Sequence, residues 1–516
     1  MNRAHPMHRA IRVLARIGWT ALLALLVLTM ADVLSATAST SDKSANYEQV
    51  QPAGPTDNNA SGPSTLKNGL RLADLRANAP ETPFVSRLVS LLGIIVLLGI
   101  AWLLSRDRRN IRWRPVVWGI GLQVLFGLVV LSPAIGDVFF NVVNQSVATL
   151  MSFSEKGSEF LFQTVEAHEV TTIDPRSGEQ TTNTYIGRMS PPLRTVAFWI
   201  LPTIIFFSAL MNIMYHLGIM QFLVRITATI MQRTMGTSGS ESLSAAANIF
   251  VGQTEAPLVV KPFVEKMTRS ELNAIMVGGF ATVAGGVLAA YVGFLQKAIP
   301  DIAGHLVVAS IMSAPAALAV AKILVPETEA SETASGAELS VERPDTNLIE
   351  ALARGTSDGL RLAVNVAAML LSFVAMIALV NAMLRGASGI VGLELSLEGI
   401  LGWGFAPLAW CMGVPWAEAG EVGRLLGEKL VLTELIAYVH LGENLTGPNP
   451  LSYRSAVIAS YALCGFANFA SIGIQIGGIG GIAPSRRAEL AQLGILSMIG
   501  GTIAAMMTAT IAGILL

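Results

Sequence analysis

The chain has 516 residues, of which 52% are hydrophobic and 13% charged, with a formal net charge of −1. A soluble domain carries about 25% charged residues, so this composition excludes one and describes a polytopic membrane protein. The balanced charge gives no electrostatic footprint for a nucleic acid, and the only two cysteines, Cys411 and Cys464, exclude a disulfide framework.

Arg3, Arg9, Arg12 and Arg16 precede an apolar run at 17–30, followed by Ser35, Ala36, Ala38 and Ser39. Residues 1–39 therefore read either as a secretory signal or as a short retained anchor. Both readings start the arginines in the cytoplasm. Residues 40–84 are rich in Ser, Pro, Asn, Gly and Asp without apolar periodicity, which predicts a flexible tether. The stretch 85–217 holds the first spans, at 85–104, 116–131 and 195–217. Arg106, Arg108, Arg109, Arg112 and Arg114 mark the loop after the first of these as cytoplasmic and put the tether outside. Residues 134–162 are amphipathic and predict a helix lying at the interface. Residues 164–194 form a polar insertion. His168 between Glu166 and Glu169 has metal-ligand residue types, but a solvated loop is the reading preferred here.

Residues 218–325 become irregular. Gly252-Gln253-Thr254-Glu255-Ala256-Pro257 places an amide, a hydroxyl and a carboxylate in a strongly apolar neighbourhood. Gly and Pro free backbone groups from helical bonding, which hydrocarbon tolerates only where the backbone is buried in protein or lines a wet cavity. An ionisable residue there is a functional-site candidate. The next span, 274–294, is broken by Gly278, Gly279, Gly285, Gly286 and Gly293, and 306–325 carries Pro315. A polar loop spans 326–354. Within 355–386 lies a long regular span. Residues 387–516 hold a moderately apolar stretch at 397–414 and a short segment, 425–441, with Lys429 and Glu434. A glycine-rich span at 456–482 with Asn468, Ser471 and Gln475 follows, and then a last span at 488–516 behind Arg486 and Arg487.

The order repeats. A short interrupted segment with a glutamate precedes a broken span twice, first with Glu255 and then with Glu434. Paired interrupted segments point to the midplane site of a secondary transporter. Glycines alone would signify no more than close helix packing. Their company with Glu255, Glu434, Asn248, Gln253 and Asn468 favours the site. Gly477-Gly478-Ile479-Gly480-Gly481 has no βαβ unit around it and is no dinucleotide loop. No P-loop occurs.

The motifs Asn248-Ile249-Phe250-Val251-Gly252-Gln253-Thr254-Glu255-Ala256-Pro257, Ser313-Ala314-Pro315-Ala316, Thr433-Glu434-Leu435-Ile436-Ala437-Tyr438 and Gly465-Phe466-Ala467-Asn468-Phe469 through Gly480 resemble, in order, signatures of the concentrative nucleoside transporters. The resemblance covers roughly 85–516 and leaves out the N-terminal extension and the insertion. It implies an all-α polytopic membrane fold of about eight transmembrane helices, two re-entrant hairpins in inverted repeats and interfacial helices. It further implies a homotrimer in the inner (plasma) membrane, with no enzyme activity and no cofactor, that imports nucleosides of the uridine, adenosine and cytidine class with a sodium ion by an elevator-like mechanism.

By the same resemblance Gly252, Gln253, Thr254 and Glu255 surround the base, with Val287 as an apolar contact. Glu434, Asn468 and Ser471 hold the ribose, and Phe466 lines the pocket. Asn248, Val251, Thr282 and Val283 supply mostly backbone oxygens to sodium. Three departures from the family pattern stand out: Thr282 for a common serine, Thr433 and Leu435 on either side of Glu434, and Ala470 for Ser or Gly. Proton coupling, a nucleobase substrate, and a membrane enzyme using Glu255 and Glu434 as an acid/base pair are the alternatives.

Overall fold

The computed structural model describes residues 84–130, 133–162, 165–173, 180–188, 195–334, 345–389 and 395–516. The signal or anchor at 1–39 and nearly all of the tether lie outside them. Seven helices among the described residues are long and apolar enough to cross a membrane, or eight if a bent pair is counted as one span.

The first part holds α1 (Phe84–Leu103), α2 (Trp113–Val130) and α3 (Pro133–Phe162). The last is 30 residues of amphipathic helix and does not qualify as a span. The insertion differs from the sequence reading. It is no simple loop: β1 (Val165–Ile173) and β2 (Gln180–Arg188) pair antiparallel, with Val165 opposite Arg188 and Ile173 opposite Gln180. The β-branched residues of Val170-Thr171-Thr172-Ile173 and Thr181-Thr182-Asn183-Thr184 suit a strand. A π-helical turn (Val196–Ile200), capped by the Thr195 hydroxyl, leads into α4 (Leu201–His216). Then α5 (Ile219–Met235) starts and stops at left-handed Gly218 and Gly236.

Two similar units follow. In the first, α6 (Gly239–Asn248) leads through a tip at 249–255 to a 3-10 turn (Ala256–Val260) and the short α7 (Lys261–Val264). The broken pair α8 (Arg269–Ala281) and α9 (Gly285–Leu295) comes next, then the span α10 (Ile302–Leu324). In the second, α13 (Trp416–Val431) turns at Leu432-Thr433 into α14 (Glu434–Thr446). The broken pair α15 (Tyr453–Leu463) and α16 (Phe469–Ile482) precedes the span α17 (Arg487–Leu515). Capping boxes start α6 (Ser238 with Glu241) and α8 (Thr268 with Glu271), satisfying two orphan donors at each start. The turn between α13 and α14 contains neither Gly nor Pro. Thr433 sits in extended backbone at φ −155°, a conformation that suits a β-branched residue.

Between the units lie α11 (Leu348–Gly389), 42 residues long, and α12 (Leu397–Cys411). The moderately apolar stretch read at 397–414 is the 15-residue helix α12, bent at 118° to α13. The helix α11 exceeds the predicted 355–386 at both ends and packs along α4. Gly355 and Gly359 make that approach possible: a Cβ on either would lie 2.7 Å from a Cα of α4, at Ala209 and Ile205. This is small-xxx-small packing.

The core gathers α8, α10 and α17, which pack on one another; α8 and α10 are almost fully buried, as is α17 from Ile503 to Gly513. At its centre the two helix breaks meet. Gly465 has φ +114°, and a Cβ there would lie 2.7 Å from the Ala281 carbonyl oxygen at the end of α8. Both the conformation and the space demand glycine. Gly465→Ala should therefore destabilise the protein by about 1–3 kcal/mol of strain and displace the residues that follow. A variant that keeps the parental melting temperature and transport rate would count against this reading.

Candidate functional site

Three parts of the fold converge on one cavity of about 160 Å³. From the first unit come Gly252, Gln253, Thr254 and Glu255 at the tip, with Ala284 and Val287 at the break of α8 and α9. From the second come Thr433, Glu434 and Leu435 at the start of α14, with Phe466, Asn468, Ser471 and Ile474 around the break of α15 and α16. The third part is α11, which closes the wall with Leu362, Val366 and Leu370. All nine residues assigned to substrate from the sequence line this one space.

Local structure aims each polar group. Glu434 is the first residue of α14, where the positive end of the helix dipole favours a carboxylate. Its Oε1 accepts from the Tyr291 hydroxyl at 2.7 Å, and its Oε2 from Asn468 Nδ2 at 2.8 Å. Asn468 is the N-cap of α16, and its oxygen accepts from the Ser471 backbone N–H at 2.9 Å. Capping thus fixes the amide so that its NH2 must face Glu434. Ser471 Oγ accepts from Gln253 Nε2 at 3.2 Å, and Gln253 Oε1 accepts from Gln475 Nε2 at 3.0 Å. Gln475 donates also to the Met276 carbonyl at 3.2 Å.

One unbroken chain of hydrogen bonds therefore runs from α8 through the first tip to α16, α14 and α9. A buried network of this kind orders its members, and among the described residues only Gln475 Oε1 in it is left without a partner. Gly252 leaves the Glu255 carboxylate its present place, because a Cβ on residue 252 would meet Glu255 Oε2 and push that side chain aside. The cavity has a polar side, rich in acceptors and amides, and a flat apolar side on α11. Such a space suits a compact ligand with both a hydroxylated part and an apolar ring face.

Sequence reasoning missed Tyr291. It lies one helical turn beyond Val287, on the same face of α9, so the spacing held the signal. It is buried and stacks on Tyr438 with centroids 4.4 Å apart. The wall of α11 was also missed, although Leu362, Val366 and Leu370 recur every four residues. Tyr291 and Asn468 provide the partners of Glu434 that the departure at Thr433 had left open. The Thr433 side chain makes no cap bond.

The four residues assigned to the ion sit beside the same break. Asn248 ends α6 and Val251 follows in the tip. Thr282 ends α8, and Val283 lies within the break. Asn248 and Thr282 border Gly278 from two sides. Asn248 Nδ2 lies 3.1 Å from a Cβ placed on Gly278, and Thr282 Oγ1 donates to the Gly278 carbonyl at 2.9 Å. Gly285 N–H donates to the Phe250 carbonyl at 3.2 Å, tying tip to break. Asn248 is fully buried, yet neither its Oδ1 nor its Nδ2 has a partner among the described residues. A buried amide needs polar partners, and an amide oxygen with nearby carbonyls is a donor set for a hard cation.

Comparison with known proteins decides the family. The sequence profile described as Na+ dependent nucleoside transporter N-terminus matches residues 92–165, the C-terminus profile matches 305–513, and one described as Nucleoside recognition matches 197–298. The chain belongs to the concentrative nucleoside transporters. It is 37% identical to sodium/nucleoside cotransporter 1 of Mus musculus over 87% of this chain and 68% of that one. It is 43% identical to the uncharacterized transporter YutK of Bacillus subtilis over 82% of this chain and 98% of that one. Among solved structures, CNTnw in an inward-facing substrate-bound state matches at a TM-score of 0.72 and 40% identity, over 83% of this chain and 98% of that one. The protein is thus a multi-pass membrane transporter and not an enzyme, and its family is sodium-dependent.

Proposed function

We propose that this protein is a sodium-coupled symporter that imports nucleosides across the plasma membrane by alternating access. The ribose hydroxyls meet Glu434, Asn468 and Ser471, and the base lies against Gly252, Gln253, Thr254, Glu255 and Val287, with Phe466 closing the pocket. The observation that carries the proposal is the hydrogen-bonded chain joining Gln253 of the first tip to Glu434 of the second. A diol can replace its internal partners one for one, and a site built to pair with hydroxyls rejects analogues lacking them.

Sodium meets carbonyl oxygens near Asn248, Val251 and Val283, with the Thr282 hydroxyl, and no carboxylate need hold it. Unwound backbone at interrupted helices serves transporters in this way. The α11 wall belongs to a helix whose outer face exposes Leu371, Val374 and Met383. That face supports a homotrimer built around α11, with the two repeated units as the moving part.

The test is uptake of labelled uridine and adenosine into proteoliposomes with an inward sodium, proton or potassium gradient. Sodium alone should drive concentrative uptake of unchanged nucleoside, and excess adenosine should compete with uridine because Gly252 leaves room beside the tip. Uptake that follows the proton gradient and ignores sodium would refute the coupling. Uridine uptake indifferent to adenosine would refute the broad base specificity.

A further inference from the structure

The two repeated units treat their helix breaks differently. In the first, α6 ends at Asn248 beside the break that follows α8, and its buried amide has no partner among the described residues. In the second, the last turn of α13 carries Lys429, which is only 2% exposed. Its Nζ donates to the carbonyls of Ala462 at 2.8 Å and Cys464 at 3.3 Å. These oxygens are at the C-terminal end of α15 and at its C-cap, where the break at 464–468 begins. The end of a helix leaves carbonyls without intrahelical partners and carries partial negative charge, so both breaks present backbone oxygens to a cation. A buried ammonium is costly unless it is paired and hydrogen-bonded. Apolar packing alone would be served better by Leu or Met.

We infer that the Lys429 ammonium is a resident cation, filling in the second unit the place that sodium takes in the first. This rests on the sodium reading given under Proposed function. Lys429 touches neither nucleoside nor ion and is a positioning residue. By gripping the carbonyls of Ala462 and Cys464 it sets the course of Gly465 to Asn468, and with it where Phe466 and Asn468 stand in the cavity. The two units are thus loaded unequally: one break exchanges its cation with solution in each cycle, while the other keeps a tethered one throughout. Coupling then passes through a single exchangeable ion at these breaks.

The test compares the full-length protein with Lys429→Ala and Lys429→Met in proteoliposomes, reading sodium-driven uridine uptake. Both variants should lose at least tenfold in uptake at a sodium concentration that saturates the parent. Ethylammonium, or raised sodium, should restore Lys429→Ala several-fold by refilling the vacated space. Neither should restore Lys429→Met, whose side chain fills it without charge. Parental uptake by Lys429→Met overturns the inference. So does a Lys429→Ala protein with a native size-exclusion profile that neither cation restores, because that result leaves the lysine a merely structural role. If neither variant folds, the reversal potential of the parent decides. One sodium per uridine supports a permanently filled second break, and two overturns it. A parent that moves uridine without regard to sodium refutes the proposed function itself, a result separable from any variant effect.

Discussion

Glu434→Gln should weaken uridine binding and uptake by an order of magnitude or more at equal expression. The change keeps the shape of the side chain and removes its charge. In the parent, one carboxylate oxygen holds the Tyr291 hydroxyl and the other the Asn468 amide. A glutamine can accept at one position only. At the other it offers an NH2, which meets either another donor on Asn468 or the Tyr291 hydroxyl turned to accept. A hydrogen bond to a charged group contributes about 1.5–3 kcal/mol, and about 1.4 kcal/mol is tenfold in affinity. The effect should reach beyond the side chain. Asn468 also caps α16 and orders Ser471, which accepts from Gln253, so the disturbance travels to the first tip. Uridine affinity and uptake by Glu434→Gln within twofold of the parent would remove this residue from the site. The 2′-deoxy and 3′-deoxy nucleosides should compete less well with uridine in the parent, and that discrimination should shrink in the variant.

The site was legible in the sequence where polarity contradicted its surroundings. Gln253, Thr254 and Glu255 between Gly252 and Pro257 cannot be a lipid-facing helix, and the same argument found Asn468 and Ser471 among glycines. Burial and hydrogen-bonding demand made those positions conspicuous. Tyr291 was not conspicuous, because a tyrosine in an apolar span is ordinary until its hydroxyl is seen to meet Glu434. Leu362, Val366 and Leu370 look like any apolar stripe, and only the tertiary arrangement turns that stripe toward a cavity. The turn at Leu432-Thr433 carries no breaker residue. It forms because the Glu434 carboxylate at the start of α14 and Lys429 at the end of α13 are both tied to the second broken pair. The strands of the insertion were passed over because their alternation is polar with polar, without the apolar face that marks a half-buried strand.

Asn248→Leu should separate the ion from the fold. The Asn248 side chain is fully buried, and its two polar atoms find no partner among the described residues. Each unmet polar group costs about 1–3 kcal/mol in the folded state, a cost that leucine, of similar shape, does not carry. In choline buffer the variant should therefore melt at or above the temperature of the parent. Sodium should reverse the order. A ligand bound by the native state alone stabilises it by about 2.7 kcal/mol at a hundredfold excess over its dissociation constant. The parent should gain that stability from sodium and the variant should not. Linkage then fixes the consequence for transport: an ion that raises nucleoside affinity by some factor has its own affinity raised equally. Uridine should bind the parent more tightly in sodium than in choline, and bind Asn248→Leu equally weakly in both. Thr282→Val is the milder companion. It removes a hydroxyl that donates to the Gly278 carbonyl and keeps a free lone pair for the ion. It should raise the sodium concentration needed for half-maximal uptake more than it alters uridine affinity at saturating sodium. A sodium-dependent rise in melting temperature as large in Asn248→Leu as in the parent would place the ion elsewhere.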